Sequence, residues 1–398
     1  MSASISPPRI ITLIFLTGLS VLTLNMFLPS LSNIAIEFDA DYGLVSLAIS
    51  GYLAMTAVMQ IFIGPLSDRF GRRPILLVTL AVFSIASIGC FLASNITVFL
   101  VFRMMQAAII SGAALSPAIV KDMFPTKKAA SLLGYISMAM AIAPMVGPMI
   151  GGFIDEIFGW RSNFALYAIV GLSILILCFF DVGETHNKRS ADFGSQLRLY
   201  PSLLRSRRFW GYSLCNAFST GAFYAFLAGA PLVATVLFEI STSELGIYIG
   251  TITIGFFLGS LTSGRLAKNY ELATMMIAGR LVACIGLLGG IALFALGFSH
   301  EFILFGATVF VGYGNGVTMP STNVGAMSVK PELSGSAASL TGALTVAGGA
   351  ILTFATGVVI TEQNGIHTLF GMMFFCSFAG LIIAFAVRLW ERQEIKVA

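Results

Sequence analysis

Runs of about 20 apolar residues recur along nearly the whole of this chain. A membrane-spanning helix needs about that many, because the hydrocarbon core of a bilayer is about 30 Å thick. The runs are too long for barrel strands and do not alternate with polar residues. Only 10% of the 398 residues are charged, whereas a soluble domain has about 25%. With a mean hydropathy of +0.92, the sequence predicts an all-α integral membrane protein.

The apolar runs predict twelve transmembrane helices. The longest polar stretch, residues 183–208, separates six runs from six and predicts a cytoplasmic linker. We therefore expect two six-helix bundles, formed by residues 1–182 and 209–398. A short repeat supports the division, because Gly64-Pro65-Leu66 and Gly264-Arg265-Leu266 follow the second and eighth runs. Parallel repeats place a substrate site near the midplane between the halves. The twelve runs are 10–28, 44–63, 74–93, 98–120, 130–154, 163–180, 209–236, 245–266, 275–297, 302–318, 334–360 and 368–389.

The distribution of basic residues predicts the orientation. With both termini and the even-numbered loops inside, 20 of the 22 Lys and Arg residues are cytoplasmic, Arg280 among them. Arg161 is then outside and Arg103 lies within a span. Basic residues near membrane ends stay cytoplasmic, so we expect a multi-pass protein of a bacterial-type cytoplasmic (inner) membrane. Because the basic residues are dispersed over short loops, no nucleic-acid partner is expected.

Several classes of chemistry find no support in the sequence. All five cysteines fall inside predicted spans, where we interpret them as packing residues. The three histidines do not cluster, so we expect no metal site and no membrane-embedded enzyme. No phosphate-binding G-x-x-x-x-G-K-[ST] loop occurs, which excludes ATP as the energy source, and no cofactor is expected.

The loop after the second predicted span reads GPLSDRFGRRP, residues 64–74. Gly71 permits a tight turn, and three arginines anchor the cytoplasmic side. Asp68 is acidic where basic residues are expected, which indicates a partner for it. A solvated turn that carries only retention charges is the alternative.

This loop resembles the signature G-x-L-x-D-R-x-G-R-R of the major facilitator superfamily. The matching residues are Gly64, Asp68, Arg69, Gly71, Arg72 and Arg73. The resemblance implies that Asp68 meets the N-terminus of the eleventh span, where a helix dipole favours negative charge. It also implies that Arg72 pairs with Asp122 at the end of the fourth span. These contacts would form a latch that holds the outward-facing state.

The fourth predicted span contains a charge. Arg103 and Gln106 resemble the family pattern R-x-x-Q-G, with Ala107 in place of the glycine. A charge within the bilayer costs about 2.5–3.5 kcal/mol on insertion scales, which favours a functional role. The alternative is that Arg103 extends outward to the membrane surface.

The fifth predicted span resembles the motif G-x-x-x-G-P-x-x-G-G of the drug:proton antiporter branch, which largely exports. Ala143 replaces its first glycine. The alternative is a kinked packing face, because proline breaks helical hydrogen bonds and glycine allows close helix contact. The residues concerned are Pro144, Gly147, Pro148, Gly151 and Gly152.

The first span contains LNMFLP, residues 24–29, similar to D-M-Y-L-P in the Bcr/CflA-like group of multidrug exporters. Asn25 stands where that group has an acid, and an amide cannot carry a proton near pH 7. The sequence shows no other acid deep within a span, so it does not locate a proton site. Since Arg103 also lacks an evident acidic partner, we hypothesise a preference for neutral or anionic substrates.

Polar residues within spans are candidates for a central cavity, although interhelical hydrogen bonding is the alternative for each. Six residues are the main candidates for this cavity: Asn25, Arg103, Gln106, Tyr135, Asn216 and Tyr224. Further candidates are Gln60, Ser111, Asn315 and Asn323.

The sequence thus predicts a secondary transporter that exports drugs or other amphipathic compounds by alternating access, coupled to protons. We expect a monomer whose partners are lipid, a small-molecule substrate and protons. The alternative is an exporter or importer of a metabolite such as an amino acid, sugar or organic anion.

Overall fold

The fold is a bundle of long helices. A computed structural model describes residues 8–124, 126–185, 200–330 and 333–397, and these form helices and turns without a β-strand. In the first half the helices are α1 (Ile10–Asn25, then Leu31–Glu37), α2 (Tyr42–Val45, then Leu47–Phe70), α3 (Arg72–Leu92), α4 (Ile96–Met105, then Ile110–Met123), α5 (Thr126–Phe158) and α6 (Arg161–Asp181).

The second half begins with a short helix, Tyr200–Leu204, within the predicted linker. Residues 186–199 of that linker lie outside the described residues. The long helices that follow are α7 (Arg207–Leu237), α8 (Thr242–Leu266), α9 (Leu272–Ala295), α10 (Glu301–Ser328), α11 (Ser334–Val359) and α12 (Gly365–Val397).

Eleven segments of the described chain are long and apolar enough to cross a membrane. Helix α5 is not one of these eleven segments, but with 33 residues it is also long. Large apolar side chains cover the outside of the bundle, and Phe180 and Leu296 are 82% and 74% exposed. Such a surface is stable against hydrocarbon rather than water, so the prediction of an all-α membrane protein is confirmed.

Helix packing joins the two halves along two seams. Within the first half, α1 packs on α4 and α5, and α3 packs on α6. Within the second half, α7 packs on α11 and α12, and α10 packs on α8 and α9. Between the halves, α5 lies against α8 and α2 lies against α11. Any space enclosed by these two seams is lined by both halves.

The first helix is interrupted in the middle of its crossing. It ends at Asn25, and residues Leu28–Ser30 form one 3₁₀ turn before the helix resumes at Leu31. Pro29 has no backbone N–H to continue the α-helical pattern. The carbonyl groups of the last turn before the break are therefore left for other partners.

One residue of the orientation argument is placed differently by the structure. Arg280 is the ninth residue of α9 and is fully buried among helices rather than in a cytoplasmic loop. Its guanidinium is held by side chains of α10, which a count of charges along the sequence does not reveal. The five cysteines are buried and unpaired within helices.

Candidate functional site

A tight turn connects α2 to α3 at the loop that carries the sequence signature. Gly71 has φ +102°, a conformation that favours glycine. The Glu184 carboxylate lies against this turn and accepts a hydrogen bond from the backbone N–H of Arg72 at 2.9 Å. A Cβ on Gly71 would overlap that carboxylate. The glycine is therefore needed for both its backbone conformation and the close approach of Glu184.

The arginines of this loop bind neighbouring helices of the first half. Arg72 Nε lies 3.2 Å from Asp122 Oδ2 on α4, and its Nη1 donates to Ser67 Oγ at 2.6 Å. Arg73 Nη2 donates to the carbonyl oxygen of Phe179 on α6 at 2.8 Å. The loop thereby ties α2, α3, α4 and α6 together.

Two other residues of the signature, Arg69 and Gly64, make no such contacts with neighbouring helices in the described chain. Arg69 is exposed, with its guanidinium carbon 5.3 Å from the ring centre of Phe70. A Cβ on Gly64 would meet no heavy atom within 4 Å. The side chains of Asp68 and of Ser334, at the start of α11, lie outside what the structure describes.

Arg103 is fully buried among four helices, so it does not extend to the membrane surface. Its Nη2 donates to the carbonyl oxygen of Thr23 at 2.9 Å, and its Nε donates to that of Ala48 at 3.1 Å. Its guanidinium carbon lies 4.1 Å from the ring centre of Phe27 and 4.3 Å from that of Tyr52. Carbonyl dipoles and aromatic faces thus surround this charge.

Gln106 completes the arginine cluster. Arg103 Nη1 donates to Gln106 Oε1 at 2.6 Å, and Gln106 Nε2 donates to Ser87 Oγ on α3 at 2.8 Å. The break in α1 explains why Thr23 offers its carbonyl, which also accepts a hydrogen bond from Tyr167 at 3.3 Å. These contacts join α1, α2, α3, α4 and α6.

Asn25 lies at the end of the first part of α1 and is buried. Its Nδ2 donates to the carbonyl oxygen of Val21 at 2.8 Å, and its Oδ1 is buried without a hydrogen-bond partner in the described chain. A Cβ on Gly147 of α5 would lie 3.5 Å from the Asn25 Cβ. One acceptor is therefore left open where α1 meets α5.

The proline-glycine motif of α5 packs two helices at once. Gly147 and Gly151 face α1, and a Cβ on Gly151 would overlap the carbonyl oxygen of Met26. Gly152 faces α8, where a Cβ would overlap the carbonyl oxygen of Thr242, and Gly246 approaches Pro148 in the same way. Because these contacts are with backbone atoms, side chains could not move aside to relieve them.

The two halves are closed against each other at the face opposite the chain termini. Ser32 Oγ lies 3.2 Å from Thr235 Oγ1, and Tyr42 donates its hydroxyl to the carbonyl oxygen of Ala228 at 2.7 Å. Along the α5–α8 seam, the backbone N–H of Ser243 donates to Glu156 Oε2 at 3.2 Å. A recess of about 620 Å³ on this face is lined in part by the contact residues Ser32, Tyr42 and Thr235.

A cavity of about 210 Å³ lies deeper, between α5 of the first half and α7, α8 and α10 of the second. Its wall carries aromatic rings and thioethers together with a few hydroxyl and amide groups. Such a wall suits amphipathic small molecules, because apolar surface supplies affinity and a few polar groups fix orientation. The lining includes Met140, Pro144, Thr220, Phe223, Tyr224, Thr253, Phe256, Asn315 and Met319.

Of the six residues named first for a cavity, the structure places Tyr224 on this wall. Arg103, Gln106 and Asn25 lie within the first half, as described above. Asn216 joins helices of the second half, because its two side-chain atoms bind Thr345 and Thr322. Tyr135 is 51% exposed on α5.

Sequence reasoning missed most of the cavity wall and two buried charges. No pattern separates Phe223 and Phe256 from the other 32 of the 34 phenylalanines.

Asp155, expected in an outer loop, lies in α5 at 5% exposure and accepts a hydrogen bond from Asn33 Nδ2 at 2.9 Å. Arg280 was misassigned as described. No group of His, Cys, Asp or Glu suited to a metal ion occurs within the described ranges.

Comparison with known sequences identifies the family. Residues 13–353 match the Major Facilitator Superfamily profile. An uncharacterized MFS-type transporter YdgK of Bacillus subtilis is 32% identical over 60% of this chain and 62% of its own length. A bicyclomycin resistance protein homolog of Haemophilus influenzae is 28% identical over 86% and 88%. The multidrug resistance protein MdtL of Escherichia coli is 30% identical over 90% of each chain.

Solved structures agree on the fold. A bacterial homolog of the human lysosomal transporter Spinster, in an inward-facing conformation, superposes with a TM-score of 0.75 over 95% of both chains at 17% identity. A D-xylose-proton symporter superposes with a TM-score of 0.71 over 95% of this chain and 96% of its own, at 16% identity.

The apolar helices and the bacterial relatives together indicate a multi-pass protein of the bacterial inner membrane. Transport, rather than catalysis, is the activity that unites the relatives named for their function. The profile covers most of the chain, and the relative at 30% identity covers nearly all of it. The chain belongs to the major facilitator superfamily of secondary transporters.

Proposed function

We propose that this transporter exports drugs and other small amphipathic compounds by alternating access, driven by the proton gradient. The observation that carries the proposal is the cavity between the halves, beneath a face where the two halves close on each other. Opening that face and closing the other would carry a bound compound across the membrane. Relatives named for bicyclomycin and multidrug resistance support drugs as substrates.

The moving parts in this proposal are two bundles of six spans, formed by residues 1–182 and 209–398, with 183–208 as linker. The α5–α8 and α2–α11 seams support this division, since they are the main contacts between the halves. Counting α5, twelve helices cross the membrane, with both termini in the cytoplasm. The closed face is then the outer one, and the chain is a monomer among lipids.

The signature loop serves as the cytoplasmic latch in this scheme. Arg72 and Asp122 form an ion pair that is 11% and 25% exposed at its side chains, which holds the loop on α4. Asp68 would then engage α11 when the cytoplasmic side closes. We expect Asp68→Asn to slow turnover with little change in substrate binding, and unchanged turnover would count against the latch.

Proton coupling needs a carboxylate that can change its charge, and Asn25 cannot supply one. Asp155 is a buried carboxylate on α5, three residues beyond Gly152 at the closed seam, with Glu156 exposed beside it. We propose Asp155 as the proton carrier. We expect Asp155→Asn to abolish transport driven by a pH gradient while leaving exchange of substrate for substrate intact. Loss of both, or of neither, would refute this assignment.

The function is tested with purified protein in proteoliposomes under an imposed pH gradient. One panel contains antibiotics of different charge, and a second contains amino acids, sugars and organic acids. We expect gradient-dependent movement of at least one antibiotic, abolished by a protonophore and absent from liposomes without protein. Transport of a metabolite and of no antibiotic would establish the alternative function, a metabolite transporter. Drug sensitivity of cells that express the chain gives the direction.

A further inference from the structure

Among the residues that the structure describes, the polar groups on the wall of the central cavity come from the second half of the chain, and none is acidic. Thr220 and Tyr224 lie on α7, Thr253 lies on α8 and Asn315 lies on α10. From the first half, the described residues on the wall are the apolar Met140 and Pro144. Recognition of a polar group on a ligand would therefore depend on the second half.

Asn315 is held in one orientation by a buried arginine behind the wall. Arg280 Nη2 donates to Asn315 Oδ1 at 2.7 Å, and Arg280 Nε donates to Thr318 Oγ1 at 3.1 Å. With its oxygen taken, Asn315 retains its Nδ2 group as donor, and that group makes no hydrogen bond to any part of the described chain. At this position Asn315 thus offers a ligand an N–H donor.

The guanidinium group of Arg280 lacks one hydrogen-bond partner and a counter-charge in the described chain. It is fully buried, its Nη1 has no hydrogen-bond partner, and no acidic residue of the described chain forms an ion pair with it. The neighbouring side chains include the buried thiols of Cys215, Cys284 and Cys376. A buried charge without a counter-charge is unfavourable. An anion placed beyond Asn315 would offset this cost, whereas a cation would increase it.

Thr220 supplies a second open position on the same wall. It is 9% exposed, and its hydroxyl oxygen is buried without a partner among the described residues. Buried polar groups in proteins are normally hydrogen-bonded. An unpaired hydroxyl on a residue that lines the cavity indicates a place where a ligand atom binds.

We propose that the central cavity binds small organic anions, with the carboxylate at Asn315 and Thr220 and the apolar body among the aromatic rings of Phe223 and Phe256. Arg280 provides the positive charge from behind Asn315. The proposal rests on the function proposed above, in which this cavity is the substrate site. Arg103 cannot play this role in the described state, because carbonyl groups, Gln106 and two rings already surround its guanidinium.

The volume limits the size of the ligand in this state. Pockets that hold drug-sized ligands measure about 300–1,000 Å³, and this cavity measures about 210 Å³. A single aromatic ring with a short acidic chain is therefore a suitable probe. Phenylpropionate, phenylpropionamide and phenylpropylamine share one apolar body and carry negative, neutral and positive head groups.

The test measures equilibrium binding of these three compounds to the purified full chain in nanodiscs. We expect phenylpropionate to bind at least about tenfold more tightly than phenylpropylamine, with the amide between them, because charge-assisted hydrogen bonds are the strongest of this kind. Equal binding of the acid and the amine would overturn the proposal.

The variant Asn315→Asp tests the site more directly than ligand comparison on the parent protein. It preserves the shape of the side chain and can still accept the hydrogen bond from Arg280, so we expect the fold to be retained. It replaces the donor with an acceptor and gives Arg280 a counter-charge. We expect the preference to reverse, so that phenylpropylamine binds more tightly than phenylpropionate. A variant that folds and still prefers the acid would refute the assignment.

Thr220→Val and Thr353→Val form a matched pair. Both hydroxyl groups are buried without partners in the described chain, but Thr353 does not line the cavity. We expect Thr220→Val to weaken phenylpropionate binding several-fold and Thr353→Val to leave it unchanged. Equal effects would contradict the site.

These experiments can refute the anion site and the proposed function independently of each other. Antibiotic export without a preference for the acid would overturn the anion site and leave the proposed function standing. A clear preference for the acid in a chain that exports no antibiotic would overturn the proposed function and support the anion site.

Discussion

The hydroxyl group of Thr242 donates a hydrogen bond of 3.3 Å to the carbonyl oxygen of Gly152, across the seam between the two halves. The donor begins α8 and the acceptor lies near the end of α5. No side chain separates the two backbones here, because residue 152 is a glycine. The proline-glycine motif thus allows the halves to meet at this face.

Gly152→Ala tests whether this contact governs closure. A methyl group would overlap the Thr242 carbonyl oxygen, and overpacking of this kind costs about 1–3 kcal/mol. That cost would shift the equilibrium between closed and open states by about 5- to 150-fold toward opening of this face. The measurement is the labelling rate of a cysteine at Ser32, 8% exposed here, with a membrane-impermeant maleimide.

Gly18→Ala is the matched control for this change. A Cβ on Gly18 of α1 would meet no heavy atom within 4 Å. We expect parental labelling and parental transport for this variant. If Gly152→Ala labelled no faster than Gly18→Ala, closure would not depend on the contact.

Arg103 is expected to stabilise the first half rather than to select substrates. Arg103→Lys cannot reproduce three hydrogen bonds in different directions, because an ammonium group lacks the planar fork of a guanidinium. Each buried acceptor left without its donor costs about 1–3 kcal/mol. We expect a clearly lower midpoint of thermal unfolding in detergent, with an unchanged ratio of acid to amine binding.

The control for Arg103 is Arg161→Lys. Arg161 pairs with Glu37 at 2.8 Å on the surface, with its side chain 30% exposed, and exposed pairs contribute about 0–1 kcal/mol. A similar loss of stability in both lysine variants would argue against the buried network as the source of the effect.

The sequence predicted the helices well because a membrane span is a local property of about 20 residues. Each predicted run lies within or largely overlaps a described helix, and only the ends differ. The break at Leu28–Ser30 was not predicted. It depends on how Pro29 and the carbonyl groups before it are satisfied, and those partners lie on α4 and α6.

The buried charges were predicted less well than the helices, because their partners are also distant in the sequence. Arg280 is stable within a span because Asn315 and Thr318 bind it from α10, 35 and 38 residues later in the chain. Arg103 is satisfied by main-chain carbonyl groups, and any residue type provides these. Of these partners only Gln106 belongs to a sequence pattern, and Arg280 was counted among the cytoplasmic residues. The position of Arg103 alone therefore indicated a charge in the bilayer but not its role.

The ion pair between Arg72 and Asp122 is expected to affect the rate of transport more than binding. Asp122→Asn removes the charge of a partly exposed pair, worth up to about 1 kcal/mol. If that energy biases the conformational change, turnover changes by about fivefold or less. Binding of a transported compound should stay within about twofold, since no residue of the central cavity wall is altered.

Asp181→Asn is the control at the same face of the same half. Asp181 lies 3.8 Å from Arg9 Nε and accepts a hydrogen bond from Thr12 of α1, so these partners are not arginines of the signature loop. We expect its turnover to match the parent. Equal slowing in both variants would indicate a general effect of lost charge at this face.

Asn25→Asp is expected to make stability depend on pH. The amide of Asn25 donates to the Val21 carbonyl oxygen at 2.8 Å, and a protonated carboxyl group can do the same. An ionised carboxylate would instead face that oxygen within a buried site, which is unfavourable. The folded state therefore favours the protonated form, and the variant should lose stability as pH rises. We expect its thermal midpoint to match the parent only below about pH 4, where an unfolded aspartate is protonated too, and to fall progressively below it between about pH 4 and pH 8. Asn95→Asp is the control, because Asn95 is exposed and caps α4, where aspartate serves equally well. Parallel curves for the two aspartate variants would show that position 25 is not the sheltered site described here.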